Sequence, residues 1–85
     1  MTKEMDFRPT GVCSQNIHIE LDDEGVVKDI RFLGGCLGNT QGVSALAIGR
    51  PAKEVVESLK GIRCGFKDTS CPDQLAAALE KMLAE

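Results

Sequence analysis

Four thiols, Cys13, Cys36, Cys64 and Cys71, are the side chains of this 85-residue sequence with the greatest capacity for chemistry. Each falls beside or near glycine, proline or a short polar residue, in the breaks between periodic segments. Cysteine is more often a small buried apolar side chain. Four of them at turns point instead to a shared metal-binding or redox site, because the thiolate both ligates metals and attacks disulfides. The spacing, C-x22-C-x27-C-x6-C, lacks the close C-x2-C pairs of zinc fingers and ribbons. Only the fold could gather these four, and Cys64 and Cys71, sharing one loop, form the safest pair.

The remaining polar side chains carry weaker signals. His18 stands on the polar face of a strand between Asn16 and Glu20, and reads as a solvated histidine rather than a ligand. Asp22, Asp23 and Glu24 fall at a hairpin tip, where they serve turn formation rather than acid–base catalysis. Ser14, Ser44 and Ser70 lack an evident base, so no hydrolase triad is indicated. Gly34-Gly35-x-x-Gly38 precedes a helix but lacks the lysine of a phosphate-binding loop. By itself the chain is expected to be non-catalytic.

Elements that could position the thiols follow from periodicity. Residues 1–8 are expected to fray, with Pro9 as a boundary. A first strand is predicted from Gly11 to Leu21, where Ile17, Ile19 and Leu21 alternate with Asn16, His18 and Glu20. Asp22 to Gly25 forms the hairpin loop, and the return strand runs from Val26 to Leu33. Val26, Ile30 and Phe32 share its apolar face, which Lys28 interrupts. A helix capped by Asn39 or Thr40 is predicted through Val43, Leu46, Ala47 and Ile48, ending at Gly49. A second starts at Pro51, buries Ala52, Val55, Val56 and Leu59, and stops at Gly61. The last starts at Cys71-Pro72-Asp73 and buries Leu75, Ala78, Leu79, Met82 and Leu83.

Strands first and helices second give an α+β fold, a small antiparallel sheet (the hairpin plus room for a third strand) followed by about three helices. One domain accounts for all 85 residues. In the hairpin, Cys13 is about ten residues before the Asp23-Glu24 turn and Cys36 about twelve after it. A bulge satisfies that difference and brings both thiols to one sheet edge. Cys71, beside a helix N-terminus, gains thiolate character from the positive end of the helix dipole. Glycines 34, 35, 38 and 65 leave room for backbone amides to approach thiolate sulfurs.

Charge and hydropathy exclude other classes. A formal net charge of −3 and a pI near 5.1, with acids and bases interspersed, argue against a nucleic-acid partner. No run approaches the roughly 18 apolar residues of a membrane helix, so no membrane partner is indicated. Met1 to Asp6 lacks the apolar stretch of a secretory leader, which points to the cytoplasm. In that reducing compartment, four thiols are more readily metal ligands or redox groups than a disulfide framework.

The motif Thr69-Ser70-Cys71-Pro72-Asp73 occurs together with Gly35-Cys36-x-Gly38-Asn39, Gly42-Val43, Gly49, the Gly61-x-x-Cys64-Gly65 turn and Cys13. In this combination the chain resembles the TSCPD domain family from about residue 7 to residue 82. Such domains occur as small free-standing bacterial proteins and as a C-terminal module of adenosylcobalamin-dependent ribonucleotide reductases. The resemblance implies a zinc site of four cysteines, Cys13, Cys36, Cys64 and Cys71, and a partnership with ribonucleotide reductase or another redox protein. It implies an accessory module, because 85 residues cannot contain the barrel and radical site of that enzyme.

A more distant likeness is to U-type iron–sulfur scaffolds, whose three cysteines match Cys13, Cys36 and Cys71. In this sequence the scaffold's Cys-Gly-Asp is Cys13-Ser14-Gln15, its histidine before the last cysteine is Ser70, and Cys64 is additional. Those departures favour a closed all-cysteine site over an exchangeable cluster. The alternatives to zinc are therefore an iron–sulfur carrier, or a thiol–disulfide relay with Cys64 and Cys71 as the exchanging pair.

Overall fold

The computed structural model describes residues 2–12, 14–34, 37–63 and 69–84. Three strands, β1 (Lys3–Phe7), β2 (Ser14–Leu21) and β3 (Val27–Gly34), form one antiparallel sheet in the order β1-β2-β3. Helices α1 (Leu37–Ala47), α2 (Ala52–Leu59) and α3 (Cys71–Ala84) follow them in the chain. This is the expected α+β arrangement.

The segment expected to fray instead contains the third strand. β1 pairs with β2 from Lys3 opposite Leu21 to Phe7 opposite Ile17. Its warrant is a short period of two: Met5 and Phe7 pack against the core while Asp6 faces the other way. Asp6 Oδ1 accepts a hydrogen bond from Asn16 Nδ2 at 3.2 Å, across to β2.

The hairpin closes as its sequence suggests. Asp22 Oδ1 accepts from the backbone N–H of Glu24 (2.9 Å) and of Val26 (3.0 Å), an Asx turn. Gly25 completes it at φ +79°, a conformation that suits glycine. The interruption at Lys28 is a β-bulge: Glu20 pairs with Asp29 and Leu21 with Val27, so Lys28 is the extra residue. Val27 rather than Val26 therefore enters the core, and Val26 bridges Pro51 instead. A second bulge lies at the other end of the hairpin. Ser14 pairs with Gly34 and Asn16 with Leu33, leaving Gln15 over.

Helix α1 starts earlier than its predicted caps, since Leu37 through Thr40 are already helical. Thr40 is a buried helical residue whose carbonyl accepts from Ser44 Oγ at 2.8 Å. Asn39 and Thr40 therefore lie inside the helix and are not its caps. Gly49 (φ +90°) ends the turn after α1 and donates its N–H to the Val27 carbonyl at 2.8 Å. Val27 N–H in turn donates to the Arg50 carbonyl at 2.8 Å, which covers the start of the β3 edge. α2 buries Ala52 and Val55, with Val56 and Leu59 partly buried, as its apolar stripe requires.

Helices and sheet share one core: Ile17, Ile19 and Leu21 from β2, Val27 and Ile30 from β3, Ala52 and Val55 from α2, and Leu75, Ala78, Leu79 and Met82 from α3. Burying one such aliphatic side chain contributes about 1.5–3 kcal/mol. Leu83 departs from the predicted stripe, at 46% exposure, and Ala76 takes a fully buried position instead. None of the described helices is long and apolar enough to cross a membrane.

Candidate metal centre

The start of α3 carries Cys71, the one cysteine among the described residues. Ser70 is its N-cap: Oγ accepts from the Asp73 N–H at 3.1 Å, and the Ser70 carbonyl accepts from the Gln74 N–H at 2.8 Å. Such a cap contributes about 1 kcal/mol. Cys71 is the first helical residue, as the Cys71-Pro72-Asp73 start predicts. Ser70-x-x-Asp73 is the capping-box spacing with aspartate in place of glutamate, a signal available in the sequence.

The same serine closes the loop that leads to the helix. Ser70 Oγ donates to the Ile62 carbonyl at 2.7 Å, so the loop entrance is pinned to the residue before Cys71. Asp73 adds a second clasp, accepting the Gly61 N–H at 2.7 Å and the Thr69 hydroxyl. Those two donors, the Thr69 hydroxyl first, hold the Asp73 carboxyl below the ordinary aspartate range. Its charge also suits the positive end of α3.

A third segment docks on this helix start. The Thr10 N–H donates to Gln74 Oε1 at 3.0 Å, while Gln74 Nε2 donates to Thr69 Oγ1 at 3.0 Å. Gly11, at φ +72°, passes so close that a Cβ there would lie 3.1 Å from Thr69 Cγ2. Any side chain at that position would meet both backbone strain and a crowded neighbour.

Cys71 is buried, with 7% exposure, and its Sγ lies 3.1 Å from Ser14 Oγ, itself 4% exposed. Strict alternation from Ile17 would turn Ser14 outward. The bulge at Gln15 shifts the phase and brings Ser14 to the helix side. Ser14 is also the sheet partner of Gly34. Cys13, Cys36 and Cys64 lie outside the described residues. Their described chain neighbours do not: Ser14 follows Cys13, Gly34 is two residues before Cys36, and Ile62 is two before Cys64. Ser14 touches Cys71, Gly34 pairs with Ser14, and Ile62 is bonded to Ser70.

Chemically this is one buried soft sulfur beside a buried hydroxyl. The hydroxyl of Ser14 is a donor suited to a thiolate, and four cysteine sulfurs are a donor set that zinc accepts in closed sites. His18 lies elsewhere, on the sheet face away from the helices, where its ring nitrogens meet the carboxylates of Glu4, Asp6 and Glu20. It is more enclosed than the solvated residue expected. Among the features that sequence reasoning did not use, Ser70 had the capping spacing to betray it. Ser14 and Gln74 had no local signal, because a bulge and a long-range contact set their roles.

Comparison with known families gives one match, to the model described as TSCPD domain, over residues 1–83. No curated protein and no solved structure matches the chain.

Proposed function

This chain belongs to the TSCPD domain family, and on that premise we propose that it is a cytoplasmic metal-binding module. Cys13, Cys36, Cys64 and Cys71 together hold one zinc ion. The observation that carries this reading is the Ser14–Cys71 contact of 3.1 Å, made by a serine that is also paired with Gly34. It fastens the chain beside Cys13 and near Cys36 to the Cys71 sulfur. The Ser70–Ile62 bond does the same for the chain leading to Cys64.

In a four-thiolate site zinc supplies cross-linking and charge neutralisation rather than an open coordination position, so the role is structural. The chain's own residues do the preparing. Ser14 donates to the Cys71 sulfur, Ser70 fixes the start of α3, and Asp73 with Gln74 holds the two neighbouring segments against it. Supported by the family resemblance, the partner is ribonucleotide reductase or another redox protein, which the module serves as an accessory piece without turnover of its own.

Metal content and visible absorption of protein purified without oxygen test this reading. One zinc per chain and no colour are expected. Brown protein with sulfide-to-iron charge-transfer bands would replace zinc by an iron–sulfur cluster. Colourless, metal-free protein whose Cys64–Cys71 pair oxidises reversibly would replace it by a thiol–disulfide relay.

A further inference from the structure

β1 is an edge strand, and its register with β2 sets charges against each other. Glu4 lies directly opposite Glu20, and Asp6 directly opposite His18. Like charges directly opposite in an antiparallel pair destabilise it. His18 is the point where these groups meet. Its Nδ1 lies 2.9 Å from Asp6 Oδ1, and its Nε2 lies 3.4 Å from Glu20 Oε2 and 3.5 Å from Glu4 Oε1.

Both ring nitrogens therefore face carboxylate oxygens, which in the ionised form only accept. A neutral imidazole has one N–H and would leave its other nitrogen facing oxygen, lone pair to lone pair. The imidazolium donates from both. From β3, Arg31 stands opposite His18, and its Nε donates to Asp29 at 3.0 Å. Asn16 Nδ2 supports Asp6 from within β2.

We propose that His18 is a proton-operated latch, whose imidazolium ties edge strand β1 to β2 and whose deprotonation loosens β1. Two carboxylates of β1 and one of β2 then share a positive centre that offsets the Glu4–Glu20 opposition. The chain after β1 passes through Thr10 and Gly11, which dock on the start of α3, so loosening reaches the segment leading to Cys13. The latch belongs to the outer face of the sheet and does not rest on the zinc reading.

The direction of the pH effect follows from the neighbours. The Asp6 hydrogen bond, against the opposing effect of burial and with help from Glu20, raises the His18 pKa above its ordinary value. The latch is therefore fully closed below pH about 6.5 and opens as pH rises through the raised value. His18, and then Asn16, lower the Asp6 pKa, so the Asp6 arm of the latch is lost only as pH falls through that lowered value.

Amide hydrogen exchange and the His18 ring signals, followed by NMR at low ionic strength in the full chain, test the latch. The expected ring midpoint is above about 6.5 and moves down in Asp6→Asn. Protection factors of the β1 amides should fall roughly two- to fivefold as pH passes from acid to alkaline of that midpoint. In His18→Gln they should stay at the lower level throughout. A midpoint at or below about 6.5, or the same fall in His18→Gln, would overturn the proposal. So would β1 protection that responds only to added zinc, since Glu4, His18 and Glu20 offer donor atoms within 4.8 Å of one another.

Discussion

Cys36→Ser is expected to abolish zinc binding and to lower the melting temperature by at least about 10 °C. Serine is close to cysteine in size, so little packing changes. What changes is the donor, because a hydroxyl does not ionise near neutral pH as a thiol does and is a poor ligand for zinc. A structural zinc contributes its binding free energy to folding. For a domain of 60–100 residues, 1 kcal/mol corresponds to about 4–8 °C in melting temperature. Loss of even a few kcal/mol therefore gives the shift stated. Chelation of the wild-type protein should lower its melting temperature toward that of the variant, and leave the variant unmoved. Unchanged zinc content and melting in Cys36→Ser would mean that the thiols do not act together.

The second large effect belongs to the core rather than the site. Leu79 is fully buried in the shared core, whereas Leu83, one turn along, is 46% exposed. Leu79→Ala should cost about 2–5 kcal/mol through lost transfer energy and the cavity left behind. A chain of this length has a total stability of only about 4–13 kcal/mol. Leu83→Ala should stay within about 0.5 kcal/mol. Denaturant unfolding of the two variants, with zinc content measured alongside, checks both numbers. Retained zinc in folded Leu79→Ala is expected, because its core position is separate from the contacts around Cys71. Equal losses at the two positions would contradict the facing assigned to α3.

Much of this architecture is legible in the residues themselves. Ile17, Ile19 and Leu21 announce β2 by alternation, Asp22 and Gly25 announce the turn, and Pro51 and Gly61 bracket α2. The departures from the local pattern have specific physical causes. β1 was hidden because Met5 and Phe7 alone carry its period, in a segment otherwise charged. Its stability comes from pairing with β2, which local sequence does not display. Lys28 looked like a defect in an apolar face and is a bulge that makes Val27 the core residue. Leu83 fits a helical stripe by spacing but is left 46% exposed, while Ala76 is fully buried. α1 starts at Leu37, before Asn39 and Thr40, so a capping residue type in the sequence did not mark the helix start.

The site divides along the same line. The approach of Cys13 to Cys36 lies outside the described residues; hairpin counting from the same turn anticipates what is described, Ser14 opposite Gly34 with one bulged residue. The position of Cys71 at a helix start was readable from Pro72 and Asp73. The attachment of that helix start to the sheet was not. It depends on Ser14 turning inward at a bulge, on Gln74 reaching Thr10, and on Ser70 holding Ile62. Each is a contact between residues far apart in the chain or displaced from the regular pattern.

The central claim is a single zinc held by four sulfurs, and zinc K-edge X-ray absorption of the anaerobically purified protein tests it most directly. Four sulfurs at about 2.3 Å, with no nitrogen or oxygen ligand, are expected. A shell containing nitrogen or oxygen at about 2.0–2.1 Å, or fewer than four sulfurs, would contradict it.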